Sequence, residues 1–538
     1  MYVAATLVMT WPIFNLRHLA SASYEGDARL IIWTLAWDNH ALLSGHAIFD
    51  SNIFYPAPHS LVYNEHLFGI SLFTLPIYAL TGNPVLAYNV IWFLSWIACG
   101  LAMHALLRRY VPSELAAFAG GLVFTFSFYK MLQGHGHLQQ IWTWPLPLSL
   151  LTLERWIERP SWGRTFAWTT VLIAGLLGSL YVAVMIALAN GLLLVWRAAG
   201  LLRTRRLTSL QLTHAVLQLV AVAVVTAAIV WPFLSPYRTL APVPPREVQS
   251  LSADVSSYLM PAAQTWPGIA WLKLVGRGPG PMFGERTMSL GWIAVALAMV
   301  GVAFTAKTRQ FRNAMPYAAL AMFALCLSFG PAASPAAHSV YSLVARLPGL
   351  SGFRAPGRFG LLVLLGAAVF ASFGVDALVR ARPRARTAIG AILLPLMLSE
   401  WFVIGFPGKR PQPFVIPEVY RSPVIASARA LVSLPEYRGD PHWFWETDYL
   451  LYSTAHWRPI VNGYGRWEPP THAHDISYMT AFPGPNNAKA MKALGVDLLV
   501  LHAWRYPDGA AEMLRVAQAS PEYELVTKVG LDYVFRVK

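Results

Sequence analysis

Apolar residues run along this chain in long blocks broken by short basic clusters, and a bilayer core of about 30 Å takes roughly 20 such residues per helix. The pattern predicts about eleven membrane helices on that criterion: Tyr2 to Leu19, Leu86 to Leu107, Leu115 to Lys130, Leu138 to Ile157, Thr165 to Leu180, Tyr181 to Trp196, His214 to Leu234, Met288 to Ala306, Ala314 to Gly330, Phe359 to Leu378 and Thr387 to Phe406. The basic clusters punctuate them. Arg108 and Arg109, Arg155 to Arg164, Arg197 to Arg206, Lys307 to Arg312 and Arg380 to Arg386 all fall on one face, which the positive-inside rule makes cytoplasmic. Leu67 to Leu80 is apolar but short and contains Pro76. Counting it as a crossing would flip every later basic loop, so it is expected to be re-entrant or to lie against the outer face.

Three long loops then face outward, at 20–85, 235–287 and 331–358. Within the first, DARLIIWTLAWDNHALLSG sets polar Asp38, Asn39 and His40 between apolar positions, as in a helix lying flat at the interface. After the transmembrane region 1–406, the segment 407–413 (PGKRPQP) is a linker. Residues 414–538 are expected to form a small extracytoplasmic α/β domain, with strands in VDLLVLHAW and YELVTKVGLDYVFRV and helices in SPVIASARALVSL and NNAKAMKALG. The expected fold class is therefore an all-α polytopic membrane protein carrying this domain.

Composition agrees with that pattern. Over 538 residues, 56% are hydrophobic and 12% charged, against roughly 25% charged in soluble proteins. The net charge of +15 resides largely in the inter-helix clusters, which marks topology rather than a nucleic-acid-binding face. Cys99 and Cys326 are the only cysteines, so a disulfide framework is excluded. The first segment lacks a basic n-region and a small-residue cleavage site, so it reads as a retained helix rather than a signal peptide.

Candidate chemistry gathers on the outer loops. Glu25 and Asp27 stand where the first helix surfaces, and Asp27 begins the next helix, where the dipole favours an ionised carboxylate. The same aspartate could simply cap that helix. Glu65 and His66 open the short apolar segment and, with Asp27 and His137, have donor types that suit a divalent cation such as Mg²⁺ or Mn²⁺. No metal-binding spacing is present, and no cofactor is required by the sequence. His135 and His137 mark an outer helix junction as substrate contacts or as carbonyl partners. In GFRAPGRFG, Arg354 and Arg358 stand four apart before an apolar helix, at phosphate depth; they can bind phosphate or snorkel to headgroups. Glu285 and Asp254 can contact sugar or acceptor, or cap helices. In the tail, His456, Trp457, Arg458, Asn462 and Tyr464 can line a sugar-binding surface or a glycine-bearing turn.

YEGDARL, FYPAPHSLVYNEH, LAYNVIWFLSW, GHGHLQQIWTWPLPL, SADVSSYLMP, FGERTMSLGW, GFRAPGRFG and STAHWRPIVNGYGRWEPP, in that order, resemble bacterial membrane glycosyltransferases of the GT-C superfamily, in the YfhO-like branch. The resemblance spans essentially the whole chain. It implies transfer of a sugar from a polyprenyl-phosphate donor to a glycan, lipid or protein acceptor on the outer face of the bacterial plasma membrane, with membrane lipids and no nucleic acid as partners. Carried onto this sequence, the acidic residue of the first outer loop is Asp27, with Glu25 beside it across Gly26, a departure from the usual adjacent pair. Three other classes stay open: a lipid-linked sugar flippase or transporter, an O-antigen-type ligase or polymerase, against which the early acidic loop argues, and a non-catalytic membrane assembly subunit. Spans nearly free of acids in their middles argue against a transporter.

Overall fold

The structure, a computed structural model, describes residues 1–11, 26–203, 208–276, 283–331, 341–346, 353–404, 415–437 and 443–538. It is mostly helical with one small sheet near the C-terminus. The chain divides into two compact units: residues 1–15 with 90–409, and residues 16–89 with 410–538.

In the first unit a helix falls within each expected span, but the bounds differ. Among the described residues, four helices are long and apolar enough to cross a membrane: Pro84–Leu107, Leu180–Leu201, Ser209–Thr239 and Pro356–Ala381. Others are shorter because polar or ring-constrained residues interrupt the apolar runs. The run 115–130 breaks at Ser127, whose hydroxyl accepts from the Lys130 amide and starts a new helix, Phe128–Gln133. The run 138–157 breaks at 142–144, ahead of Pro145, and resumes as Pro145–Glu158.

The Gly360–Ala381 helix is the centre of this unit, buried from Gly360 to Asp376 except at Val363 and Ala367. It meets Trp292–Thr305 backbone against backbone. A Cβ on Gly374 would stand 2.0 Å from the Leu297 carbonyl oxygen, and one on Gly301 would stand 2.0 Å from that of Phe370. Small residues are what let two helices approach this closely in a medium that offers no hydrophobic drive for association.

Carboxylates of the first unit sit at helix ends and are matched there. Glu154 accepts from Arg109 Nε at 2.9 Å and Arg197 at 3.0 Å, with the Tyr110 and Tyr317 hydroxyls also donating to it. Glu400 accepts from the amides of Trp292 and Ile293, the first two residues of the Trp292–Thr305 helix. The unpaired amides of a helix start make a natural anion site.

In the second unit the sheet runs β1-β2-β4-β3, with β1 Leu431–Leu434, β2 Leu498–His502, β3 Tyr523–Val529 and β4 Asp532–Val537. Strand β1 is parallel to β2, and β3 and β4 form an antiparallel hairpin whose turn uses Gly530 at φ +60°. Val432, Leu434, Leu499, Leu501 and Phe535 bury one face against Ala488 and Met491 of the Pro485–Leu494 helix. That helix ends at Gly495 in the left-handed region, as the KALG phrase predicts.

Two local expectations are corrected here. The 422–434 stretch is a single short helix, Pro423–Ala426, followed by strand β1, because ALVSL is a continuous apolar run that pairs with equally apolar LLVLH as a buried parallel strand. The Asp27–Ser44 helix is not a flat amphipathic helix with a wet polar side: Ile31 to Asn39 are all buried, Asp38 included. It packs against Phe68–Thr81 on one side and Glu446–Ser453 of the tail on another, so its polar positions are enclosed as well.

Gly374→Val forces a branched side chain into the Leu297 carbonyl and should destabilise the first unit by about 1–3 kcal/mol or more. Thermal unfolding in detergent should show a lowered midpoint, whereas Gly163→Ala, whose Cβ meets nothing within 4 Å, should leave it unchanged or raised.

Candidate functional site

Each unit assembles one cluster of the residues singled out above. In the second unit, Asp27 is the first residue of its helix, and the preceding cap is Gly26 at φ +70°, a conformation that L side chains rarely adopt. Gly26 lies against Phe444 and the Tyr464 hydroxyl. That hydroxyl donates to Asp27 Oδ1 at 3.1 Å, while the Tyr464 ring stacks on Trp443 with centroids 4.7 Å apart and planes 8° from parallel. Asp27 is half-buried, Tyr464 is buried and the Trp443 indole is half exposed. Glu25 lies outside the described residues.

One helical step further, Arg29 pairs with Asp448, and Asp448 also accepts from Arg505 at 2.6 Å. Arg505 is held among the rings of Tyr437, Trp445, Tyr449 and Trp504, 4.7 to 5.7 Å from their centroids. The helix that begins with Asp27 is thereby bolted to the tail. None of Arg29, Asp448, Arg505 or Trp443 stands out in the sequence; the only hint is the density of rings and acids in WFWETDY.

Other predicted residues of this unit are enclosed. His66 is 1% exposed, its Nδ1 accepts from the Phe68 amide at 3.0 Å, and burial pushes it down to about 3, so it is neutral at physiological pH. Glu65 is half-buried. Asn462 bonds the Ser433 backbone and Glu446, Trp457 stacks on His40 at 4.4 Å, and His456 lies parallel to Tyr420, so these tail residues mainly build the fold. Asp38 was not singled out as a site, yet it is fully buried, and burial raises its carboxyl well above the usual range, only partly opposed by the Ser71 hydroxyl.

In the first unit Glu285, Arg358, Arg354 and His137 come together. Arg358, 3% exposed, grips Glu285 with two nitrogens, Nε at 2.9 Å, and its guanidinium lies 4.1 Å from the Tyr181 ring centroid. Burial is the largest single influence and raises the Glu285 carboxyl; the Arg358 charge and hydrogen bonds, with the charges of His137 and Arg354, together outweigh it and hold the carboxyl at about 2. Arg354 is itself paired with Glu247 at 3.2 Å. His135 is pushed down to about 4 by burial and by His137. Asp254 caps the Val255–Leu259 helix and pairs with Arg286, and its own capping hydrogen bonds overcome partial burial to lower its carboxyl. The two arginines of GFRAPGRFG are thus not free donors; each already holds a carboxylate. Among the described residues, no three His, Cys, Asp or Glu side chains come together as metal ligands.

No family model and no curated protein matches the chain. Among solved structures, it is similar to the apo oligosaccharyltransferase of Archaeoglobus fulgidus at 12% identity and TM-score 0.46, covering 93% of this chain and 69% of that one. The zinc and sulfate complex of that protein is similar at 12% identity and TM-score 0.42, with 97% and 70% covered. ArnT from Cupriavidus metallidurans bound to undecaprenyl phosphate is similar at 13% identity and TM-score 0.39, with 99% and 97% covered. At these values the likeness assigns no family, and the functional argument rests on the side chains.

The Arg358–Glu285 pair makes a pH prediction with a definite sign. Glu285 titrates at about 2 when folded and near 4.5 when unfolded, so its stabilisation is complete above about 4.5 and is lost as pH falls toward 2. Glu285→Gln should lower stability at pH 7 by about 3–5 kcal/mol by stranding a buried guanidinium. Unfolding midpoints across that acid window should fall less steeply for the variant than for the parent.

Proposed function

We propose that this protein is a membrane glycosyltransferase that moves a sugar from a polyprenyl-phosphate donor to an acceptor on the outer face of the bacterial plasma membrane. Asp27 is the general base. The observation that carries this reading is the setting of Asp27: a half-buried carboxylate at a helix start, held by a tyrosine hydroxyl and flanked by an exposed indole. A helix N-terminus favours the ionised carboxylate, the form that accepts a proton.

In the reaction, the acceptor hydroxyl oxygen attacks the anomeric carbon as Asp27 takes its proton. The carbon–oxygen bond to the phosphate breaks, and the polyprenyl phosphate leaves with the bonding electrons, inverting the centre. Arg358 is assigned to the departing phosphate, with Arg354 supporting it, and a bidentate guanidinium suits that task. To do so Arg358 exchanges Glu285 for phosphate oxygens, which keeps the guanidinium paired, and the released Glu285 carboxylate retains the charges of His137 and Arg354. Glu25, Glu65, His135, His137, Glu285 and Asp254 are assigned to the surrounding substrate contacts, with Glu25 as Asp27's neighbour, while the enclosed His66 supports the Phe68 amide. A divalent cation is not required by this scheme.

The transporter alternative is disfavoured by the placement of the first unit's buried acids: Glu154 and Asp376 are tied to arginines toward the basic-loop ends of their helices.

Asp27→Asn should reduce transfer by roughly 10²–10⁴-fold, the usual worth of a general base. The assay is label transfer in purified membranes supplied with polyprenyl-phosphate sugar, with expression and insertion matched by immunoblot. Undiminished transfer by the variant would overturn the assignment.

A further inference from the structure

We propose that Tyr464 is the positioning residue for Asp27: the tail domain, not the membrane region alone, sets the direction and ionisation of the first-loop carboxylate. This rests on the reading of Asp27 as the base and adds a residue 437 positions away in the chain that acts through it.

Three features of Tyr464 support this. Its hydroxyl donates to Asp27 Oδ1 at 3.1 Å, and a hydrogen bond to the charged form of a carboxylate stabilises that form. Its ring is clamped by the parallel Trp443 stack and is only 7% exposed, so the hydroxyl has little freedom to turn away. A Cβ on Gly26 would stand 3.5 Å from the same hydroxyl and 3.3 Å from Phe444 Cβ, so a side chain at the helix start would crowd the tyrosine's surroundings. Burying a tyrosine whose hydroxyl had no acceptor would carry a desolvation cost, so Asp27 and Tyr464 each satisfy the other.

Neighbouring charged groups have partners of their own. Arg29, from Asp27's own helix, is engaged by Asp448, and Asp448 is shared with Arg505. Glu446, at the start of the tail helix that packs on the Asp27 helix, accepts from the Tyr437 amide and Asn462. The Tyr464 hydroxyl bonds Asp27 directly, while the Arg29–Asp448–Arg505 chain ties the start of the same helix to the tail.

Tyr464→Phe tests this because it deletes the hydroxyl and keeps the ring on Trp443. The readout is the pH dependence of dicyclohexylcarbodiimide uptake at Asp27 in the full-length protein, read by peptide mass spectrometry; the reagent adds to the protonated carboxyl, so the midpoint reports that group's titration. Removing the donor should move the midpoint upward by about half to one pH unit. The acid limb of any transfer activity should move by the same amount. Tyr523→Phe, which deletes a buried hydroxyl bonded to Gly484 and Asn487 in the same unit, should leave the Asp27 midpoint in place.

An unchanged midpoint in Tyr464→Phe, an equal rise in Tyr523→Phe, or an Asp27 that takes up no reagent at any pH would each overturn the proposal. Failure of the underlying functional reading looks different. Asp27→Asn would then retain transfer even if the Tyr464→Phe midpoint rises.

Discussion

The second unit depends on one shared carboxylate. Asp448 lies between Arg29 of the first loop and Arg505 of the tail, and it joins segments 419 residues apart in sequence. All three side chains are largely buried, which changes their energetics from those of surface ion pairs. An exposed pair contributes little, whereas a buried charge deprived of its partner is strongly destabilising. With two cations on one anion the triad carries a net positive charge, and the rings around Arg505 present their electron-rich faces to it. The start of the Asp27 helix is therefore located by electrostatics as much as by apolar packing.

The first unit obeys the same rule with different partners. Glu285 is matched by Arg358, Glu154 by Arg109 and Arg197, Asp376 by Arg380, and Glu400 by the open amides of a helix start. Between these matched ends, the long helices are apolar and approach one another through glycine. The Arg358–Glu285 pair is the most enclosed of them. It alters what the GFRAPGRFG arginines can do, since an incoming anion has to replace a carboxylate and does not meet a bare cation.

Much of this was legible in the residues, and the exceptions have physical causes. Apolar runs of membrane length mark where helices lie, but run length does not reveal a break such as Ser127, where a hydroxyl starts a new helix inside an apolar stretch. The NNAKAMKALG helix and the last two strands were readable because cap, alternation and turn agree there. ALVSL was not, because a fully buried parallel strand lacks alternation, and the preceding SPVIASA is a good helix start. Asp27 was legible as a candidate from its place at the head of a helix, but Tyr464 as its partner was not: that pairing is made by tertiary packing between distant segments. Likewise, Asp38 read as a polar position of a helix lying flat at the interface, yet lies in the interior beside the Ser71 hydroxyl of the Phe68–Thr81 helix.

The second unit is discontinuous in the chain, and this bears on how the protein is made. Ribosomal synthesis delivers the Asp27–Ser44 helix some four hundred residues before the strands and rings that receive it. Until then Arg29 has no Asp448, and the side of the helix that meets Glu446–Ser453 has no partner. The early helix must be kept from wrong contacts while the whole intervening helical region is made. For the same reason the tail is not an interchangeable module: a domain grafted from elsewhere would have to supply the missing acid and the cradle of rings at the same spots, or the early helix would never find its seat.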